Sequence, residues 1–506
     1  MTSVALPVPL AVASDSSGRR GEKFRSQHSK KPKVFILPWG PWHYISIMST
    51  PPLLLWFRDD LRLSDNPALR AAIDQDRPII PVYLHTPETE GRWKRGGASN
   101  WWLHHALNDL NEQLGKKGST LILRSGDHPK KLLETLLEET GAEEIHWNRR
   151  YVPHQVEIDT QIKENLPGVS HRGGMLFEPG QIKTQSGTPY KVFTPYYRAM
   201  GKLEDPPQPL PTPREIPAPS SFPKSENLED WKLLPEIPWD EHFPEHWTPT
   251  EKGAAEQLNL FLDEAVSSYG NDRDIPSQPG TSRLSPYLHF GQISPNTVWH
   301  EAKAVGGSEA YTRQLVWRDF AKQMLFFFPH TDWDPLQEKY ADFPFRKNAK
   351  ALKRWQNGET GYPIVDAGMR QLWATGWMHN RVRMIVASFL VKDLLITWRE
   401  GAEWFWDTLV DADLANNSLG WQWAAGCGAD AAPYFRVFNP TRQSEKFDGS
   451  GQYIRRWIPE VRHLPDSLLH EPWTAPTHPE GYPKPIVNHK EARDRALDAL
   501  HTITSD

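Results

Sequence analysis

The residues best suited to chemistry lie in one stretch, WREGAEWFWDTLVDADLANNSLGWQW, which runs from Trp398 to Trp423. It holds two acids two positions apart, Asp411 and Asp413, followed by an asparagine pair, and it contains five tryptophans. Carboxylates and amides at this spacing can orient a polar ligand, and tryptophans can stack on its aromatic parts. A tryptophan-rich helical core would contain the same residue types, so this stretch alone leaves both interpretations open.

Two runs upstream favour a functional interpretation. The run TSRLS, residues 281–285, supplies hydroxyls and a guanidinium, which suit phosphate groups near a helix start. Isolated serines and threonines at such positions are more often simple N-caps. The run GWMHNRVRM, residues 376–384, combines a tryptophan, an amide and two arginines.

The composition limits the classes of protein and partner. At 506 residues, the chain is long enough for two domains with a large core. The formal charge of −5 gives no general basic field for nucleic acid, so any DNA contact must come from a local patch. One candidate is RKNAKALKR, residues 346–354, although an ordinary solvated helix face has the same composition.

Cysteine content and hydropathy indicate the cellular compartment and exclude several kinds of site. The single cysteine, Cys427, excludes a disulfide framework and any zinc or iron–sulfur site built on cysteines. It fits a reducing compartment, and no apolar run reaches the length of a membrane span. We therefore expect a cytoplasmic protein with no membrane partner, and no metal site is predicted.

Residues 1–51 are predicted to be a disordered or artefactual extension. The apolar run at residues 4–13 contains two prolines and follows no basic region, so it is a poor secretory signal. A transit peptide and an upstream translation start are the alternatives, because Met48 directly precedes the first convincing strand.

Strand and helix patterns alternate over residues 52–180. They predict an α/β domain with a doubly wound, Rossmann-like parallel sheet. No G-x-G-x-x-G follows the first strand, which argues against an ordinary nicotinamide site. A proline-rich interdomain linker is predicted over residues 181–250, and an all-α domain over residues 251–506. The predicted strands are Leu53–Phe57, Pro78–Leu84, Thr120–Arg124 and Glu144–Trp147.

Six motifs follow one another in a recognisable order. They are TSRLSPYLHFGQISP (281–295), WRDF (317–320), TGYPIVDAGMRQL (360–372), GWMHNRVRM (376–384), DADLANNSLGWQW (411–423) and APYFRVFNPTRQSEKFD (432–448). With these motifs the chain resembles the photolyase/cryptochrome family, and most closely the class I cyclobutane pyrimidine dimer photolyases. The resemblance extends from about Leu53 to the C-terminus.

The resemblance implies that the all-α domain binds reduced FAD. It assigns Asp411 and Asp413 to positions beside the flavin and its ribose, and it pairs Arg383 with Asp411. A buried pair of this kind is a poor stabiliser after desolvation, which suggests an electrostatic role. Asn417 is implied to face flavin N5, the alternative being an ordinary helix C-cap. The other implied cofactor contacts are Tyr269, Thr281, Ser282, Arg283, Leu284, Ser285, Tyr311 and Ala412.

The resemblance also implies that the partner is UV-damaged DNA, from which a fused pyrimidine pair is flipped out of the duplex. It assigns the stacking wall of the lesion pocket to Trp317 and Trp377, base contacts to Asn380, and a flanking phosphate to Arg381. Met384 is typical of the dimer-splitting branch. Contacts to the DNA backbone are implied for Arg273, Arg436 and Gln443.

One substrate residue departs from the dimer-photolyase pattern. Gln314 stands where a glutamate is usual, and it can donate a hydrogen bond to a thymine carbonyl but cannot supply a proton. The (6-4) photolyases carry glutamine at this position, which raises that alternative. Asn380 and Met384 favour dimer splitting.

The family's electron-transfer chain is also altered. Trp398 and Trp421 match its inner tryptophans, whereas the outer position is Phe345, whose ring is too hard to oxidise for that role. The candidate substitutes are Trp355, Trp333, Tyr340 and Trp423.

The antenna chromophore is left open. Residues 147–159 correspond to the chromophore edge of the sheet domain, but His154 and Gln155 replace the Asn-Glu pair of folate-binding relatives. An 8-hydroxy-deazaflavin, a methenyltetrahydrofolate in another pose, and no antenna at all are the alternatives.

We therefore expect a monomeric photoenzyme in which excited reduced FAD passes an electron to a flipped cyclobutane dimer, splits it and recovers the electron. Positioning and electrostatics would do the catalytic work. The alternatives are a (6-4) photolyase and a cryptochrome-type blue-light sensor. A sensor usually has a long C-terminal tail, whereas only about fifty residues follow Pro459 here.

Overall fold

The computed structural model describes residues 50–431 and 435–504. Its first part is a five-stranded parallel sheet with the spatial order β3-β2-β1-β4-β5. The α/β class predicted for this region is therefore confirmed, whereas residues 1–49 of the predicted extension lie outside the described residues. The strands are β1 (Leu53–Phe57), β2 (Ile79–His85), β3 (Ile122–Ser125), β4 (Ile145–Asn148) and β5 (Gly168–His171).

Strand β1 lies at the centre of the sheet and is buried along its whole length, as expected when both faces of a sheet are covered. It pairs with β2, from Leu53 opposite Ile79 to Phe57 opposite Tyr83, and with β4 on its other side. The winding direction reverses between β1 and β4. Ligands of such sheets bind at the carboxyl ends of the strands at this point, which makes the loops after β1 and β4 a candidate site.

The sequence does not predict β5. This edge strand has four residues, none of them fully buried, and it lacks an apolar run. The four predicted strands are all present, with ends that differ by two residues at most.

Helix starts follow ordinary capping rules. The side chain of Asn66 accepts a hydrogen bond from Leu69 N at 3.1 Å, and Pro67 is the first residue of α1. The helices are α1 (Pro67–Ile73), α2 (Gly97–Gly115), α3 (Pro129–Thr140), α4 (Pro153–Asn165), α5 (Phe193–Met200), α6 (Phe243–His246), α7 (Glu251–Glu264), α8 (Tyr269–Asp272), α9 (Ser285–His289), α10 (Pro295–Ala304), α11 (Glu309–Phe327), α12 (Ala349–Gln356), α13 (Pro363–Thr375), α14 (Asn380–Ser388), α15 (Trp398–Thr408), α16 (Leu414–Ala425), α17 (Pro440–Phe447), α18 (Gln452–Trp457), α19 (Asp466–Leu469) and α20 (His489–His501). Within residues 50–431 and 435–504, none of the helices is both long and apolar enough to cross a membrane.

The segment predicted as a linker contains α5 and α6 and contacts the sheet domain. Leu210 and Asp65 exchange two hydrogen bonds of 2.9 Å, one between backbone atoms and one to the Asp65 carboxylate. This segment is therefore attached to the sheet domain at Leu210.

The two largest apolar clusters of the described residues lie next to the predicted site. The first joins the sheet to the helical half, where Trp102 on α2 meets Trp247 and Tyr287 with ring centroids 5.4 and 5.0 Å apart. The second lies among α13–α16 and contains Trp398 and Trp421. Residues 398–423 and residues 376–384 thus both contribute to this helical core.

Candidate functional site

The guanidinium group of Arg283 is a candidate anion-binding group. Its Nε is buried and has no hydrogen-bond partner within the described part of the chain. Its guanidinium carbon lies 4.3 Å from the ring centroid of Trp247 and 5.2 Å from that of Trp377. Burial, reinforced by the like charge of Arg456, lowers the pKa of Arg283. An enclosed cation in this condition is costly, so the position suits a phosphate group.

Thr281 and Ser282, two of the predicted hydroxyl residues, directly precede Arg283 in the chain. Arg283 has a left-handed backbone with φ of 52°, which is uncommon for a residue other than glycine and is concentrated at functional sites. The side chain of Ser282 interacts with the hydroxyl of Tyr311, whose ring lies edge-on to Tyr269 at 5.3 Å. Burial raises the pKa of Tyr269 to about 12, so its hydroxyl remains protonated at neutral pH. Thr281 and the buried Leu284 belong to the same turn.

The predicted pair of Arg383 and Asp411 is confirmed. Nη2 of Arg383 lies 2.8 Å from Oδ2 of Asp411, and Nε donates to the carbonyl of Met378 at 2.8 Å. Ser285 Oγ, at the first residue of α9, donates to the same Asp411 oxygen at 2.6 Å. Asp411 therefore links the turn of residues 281–285 to α14. Arg383 balances the charge of Asp411.

Asp413 engages a different set of partners. Its carboxylate accepts from Asn416 N at 3.0 Å as the N-cap of α16, and it lies 3.1 Å from Nζ of Lys322 and 3.8 Å from His289. Although burial opposes its ionisation, Lys322 and His289 hold the pKa of Asp413 well below its usual range. Asp413 and its neighbour Ala412 line the cleft toward the sheet domain. The structure therefore separates the two acids that the spacing grouped together.

Asn417 lies in the first turn of α16, which excludes its interpretation as a helix C-cap. Its Nδ2 donates to the carbonyl of Ala402 on α15 at 3.0 Å. The two helices also meet where Gly401 packs against the ring of Trp421. The approach is so close that a Cβ at Gly401 would overlap that ring. This contact fixes Trp421 within the helical core.

The inner tryptophans of the predicted electron route are buried. Trp398 and Trp421 are each 2% exposed. Trp355 on α12 meets Trp421 with ring centroids 6.2 Å apart, and it donates from Nε1 to the carbonyl of Val386 at 3.1 Å. Phe345 is half-buried and packs on Phe343 at 4.7 Å. Among the proposed substitutes, Trp355 thus contacts an inner tryptophan directly.

The two wall tryptophans have different surroundings. Trp317 on α11 is half-buried and stacks on Phe193 with centroids 3.6 Å apart and planes 7° from parallel. Trp377 is 9% exposed and lies beneath Arg283. One turn before Trp317, Gln314 donates from Nε2 to the carbonyl of Ala310 at 3.2 Å.

The first turns of α14 bring together two of the predicted substrate residues. Asn380 is exposed, and its Nδ2 lies 4.0 Å from Sδ of Met384. Arg381 forms an ion pair of 2.8 Å with Asp274, next to Arg273. Arg381 is therefore already neutralised, which weakens its assignment to a phosphate.

The remaining predicted DNA contacts are Gln443, Arg436 and Arg273. Gln443 is half-buried in α17, and Arg436 is exposed. Residues 432–434 of the last motif lie outside the described residues. Arg273 packs on the ring of Tyr269, with its guanidinium carbon 5.8 Å from the centroid.

A charged cleft occupies the switch point of the sheet. It encloses about 860 Å³, open solvent included. Arg95 pairs there with Asp59 at 3.0 Å and with Glu90 at 2.8 Å, and Trp93 meets Trp406 at 5.3 Å. Burial lowers the pKa of His154 to about 4, so this predicted antenna residue is neutral. The other lining residues include Asn148, Arg149, Arg150, Tyr151, Gln155, Arg318 and Lys322.

Sequence reasoning missed the contacts that cross between elements. Lys322 and His289 reach Asp413 from α11 and α9, and Phe193 reaches Trp317 from the predicted linker. A weak signal exists for His289, which lies inside the motif at residues 281–295. The others have no local signature. The arrangement as a whole, an enclosed cation beside hydroxyls and an Arg–Asp pair, fits a cofactor with a pyrophosphate and a polar ring.

Two family models match the chain. The model described as DNA photolyase matches residues 53–214, which include the sheet. The model described as the FAD binding domain of DNA photolyase matches residues 311–502, which include α11–α20 apart from the first residues of α11.

Similar proteins cover nearly the whole chain. A deoxyribodipyrimidine photo-lyase of Agrobacterium fabrum is 47% identical over 477 residues, which are 90% of this chain and 99% of the relative. Cryptochrome-1 of Arabidopsis thaliana is 35% identical, with 88% of this chain and 70% of the relative covered. The crystal structure of a bacterial class III photolyase from Agrobacterium tumefaciens has a TM-score of 0.87 and 45% identity, covering 92% of this chain and all of that one.

Proposed function

The chain belongs to the DNA photolyase/cryptochrome family, and we propose that within it the protein is a deoxyribodipyrimidine photo-lyase that repairs cyclobutane pyrimidine dimers in UV-damaged DNA. The observation that carries this proposal is the correspondence with the Agrobacterium fabrum enzyme over 99% of its length. We favour class III over the expected class I, because the structural relative at 45% identity is a class III enzyme.

The helical domain binds FAD, and we assign its pyrophosphate to the turn of residues 281–285. Arg283 supplies the positive charge, and Ser282 and Thr281 supply hydroxyls. Arg383 forms an ion pair of 2.8 Å with Asp411, which would orient this carboxylate toward the polar part of the cofactor. Bound there in its reduced form, FAD would supply the light-driven electron for opening the dimer.

The protein's own work is to hold the flipped lesion in place. Trp317 and Trp377 offer ring faces, and a base stack is worth about 1–3 kcal/mol. Asn380 offers a donor and an acceptor to base edges, and the soft Met384 sulfur fills the space beside it. No side chain in this group needs to move a proton, which fits catalysis by positioning.

Gln314 is the observation that favours the alternative of a (6-4) photolyase. The similarity to the Arabidopsis cryptochrome favours the alternative of a blue-light sensor. Asn380 and Met384 favour the dimer, because their contact builds one continuous amide and thioether surface on α14. Illumination of the reduced protein with two separate duplexes distinguishes all three functions. We expect loss of a cyclobutane dimer and retention of a (6-4) product, whereas a sensor would repair neither.

A second chromophore would fit the cleft at the switch point of the sheet. Trp93 and Trp406 offer aromatic surface, and Arg318, whose guanidinium donates to the carbonyls of Gly174 and Leu288, offers a cation for an acidic group. An 8-hydroxy-deazaflavin and methenyltetrahydrofolate both have a planar ring and acidic groups. An absorption band of the purified protein that survives removal of FAD would support this assignment, and substitution of Trp406 by alanine should abolish the band.

For photoreduction, we propose that Trp421 and Trp398 carry electrons and that the fully buried Trp355 extends this route by relaying an electron to Trp421. The contact between Trp355 and Trp421 supports this choice. We further propose that the protein acts as a cytoplasmic monomer.

A further inference from the structure

An aromatic cluster joins the predicted linker to the lesion wall. Phe193, the first residue of α5, stacks face to face on Trp317 at 3.6 Å with the planes 7° apart. Phe320, one turn further along α11, presents its edge to both rings at 5.7 Å. Isolated aromatic pairs prefer offset or edge-on geometry, so a parallel stack this close must be imposed by the surrounding packing.

The surrounding packing holds Phe193 rigidly. Its side chain is fully buried, and its backbone N donates to Oδ1 of Asp430 at 3.3 Å. Within the same helix, Tyr196 accepts a hydrogen bond of 2.6 Å from Gln323 on α11. The Trp317 stack and the Gln323 hydrogen bond thus attach α5 to the helix that carries Trp317, and the Asp430 hydrogen bond attaches its start to the segment after α16.

Trp317 keeps part of its surface open. It is half-buried, although one ring face is covered by Phe193 and an edge by Phe320. The guanidinium carbon of Arg313 lies 5.2 Å from the Phe193 centroid on an exposed side chain, so the stack ends near solvent. A ring supported on one face presents its other face in a single orientation.

We infer that Phe193 is a positioning residue for lesion recognition: it acts through Trp317 by holding the ring plane on which the flipped pyrimidine pair stacks. This inference rests on the proposed function. A tryptophan side chain has two rotatable bonds, and without the supporting ring it would sample several orientations. Flipped and intact bases would then be distinguished less well, while FAD, which is bound by other residues, would remain in place.

The test is a double-mutant cycle on lesion selectivity, measured as the ratio of dissociation constants for intact and dimer-containing duplexes. Phe193→Leu keeps an apolar side chain but removes the planar stack, and Phe193→Tyr restores it. Phe389→Leu is the matched control, because this equally buried ring packs on Tyr362 in another part of the core. FAD content, read from flavin absorbance, is recorded for every variant.

We expect Phe193→Leu to lower selectivity about tenfold, Phe193→Tyr to restore it to within about twofold, and Phe389→Leu to leave it unchanged. In a Trp317→Ala background, Phe193→Leu should change selectivity by less than about twofold, because its effect passes through the missing ring.

An equal loss with and without Trp317 would make Phe193 merely structural and overturn the inference, as would undiminished selectivity in Phe193→Leu. If the unaltered protein itself binds both duplexes equally, the proposed function fails and the inference falls with it. The two failures are therefore distinguishable.

Discussion

Arg383 on α14 donates from Nη2 to both carboxylate oxygens of Asp411, at 3.0 and 2.8 Å. The Asp411 side chain is only 3% exposed, whereas that of Arg383 is 23% exposed. The carboxylate is thus paired mainly with Arg383, and Ser285 is a second donor. This pair joins α14, which carries the substrate residues, to the loop before α16.

Substitution of Arg383 by methionine should leave the Asp411 carboxylate without its counter-charge. We expect the free energy of unfolding to fall by about 3 kcal/mol, measured by urea denaturation, and FAD occupancy to fall with it. The control is Arg70→Met, which removes an exposed pair with Asp74 and should cost about 0.5 kcal/mol. Equal losses in both variants would show that Arg383 has no special role.

Substitution of Arg283 by methionine should separate cofactor affinity from stability. Removal of a partly buried cation whose Nε has no hydrogen-bond partner should leave the FAD-free protein as stable as before or slightly more stable, because the methionine side chain can keep the contacts with the tryptophan rings. Affinity for FAD should fall at least tenfold, because a charged hydrogen bond to phosphate is worth about 1.5–3 kcal/mol. Fluorescence titration with FAD and urea unfolding of the FAD-free protein measure the two effects. A variant that is clearly destabilised without FAD would contradict this account.

Two glycines near Trp421 should respond in opposite ways to alanine. A Cβ at Gly401 would overlap the Trp421 ring, so Gly401→Ala should cost about 1–3 kcal/mol and slow the photoreduction of oxidised FAD. Gly420 lies in α16 with nothing within 4 Å of a Cβ, so Gly420→Ala should stabilise the protein by about 0.5–1 kcal/mol and leave photoreduction unchanged. Transient absorption and thermal unfolding of both variants measure these outcomes; similar behaviour of the two would refute the packing argument.

The half-buried His154 and the buried His379 should make stability depend on pH. Burial lowers the pKa of both His154 and His379 to about 4, whereas in the unfolded chain the value is about 6.5. Protons therefore bind the unfolded chain more readily in this interval, and the free energy of unfolding should fall as pH drops from about 6.5 to about 4. His154→Gln should make this decline less steep. A free energy of unfolding that is constant between pH 7 and pH 5 would disprove the assignment.

The sequence predicts what depends on neighbours along the chain. The apolar runs give four of the five strands, and Asn66 with Pro67 marks the start of α1. The pairing of Arg383 with Asp411 is foreseen because each belongs to a motif of the family. Recognition of the family therefore supplied a long-range contact that no periodicity contains.

Contacts between elements that are distant in the chain could not be predicted from the sequence. Asp413 and Lys322 are 91 residues apart, and their meeting in the cleft depends on how α11 and α16 pack. Phe193 belongs to a segment whose prolines suggest a passive linker, yet it packs on Trp317. Both contacts follow from the packing of whole helices, which local patterns of apolar residues do not determine.

The central claim is that reduced FAD splits a dimer with light and recovers its electron. The direct measurement is the number of dimers lost from an oligonucleotide per bound FAD, with anaerobically reduced protein, in light and in the dark. We predict many dimers repaired per FAD in light without further reductant, and none in the dark. Retention of every dimer in light, or consumption of one equivalent of reductant per dimer, would contradict the account.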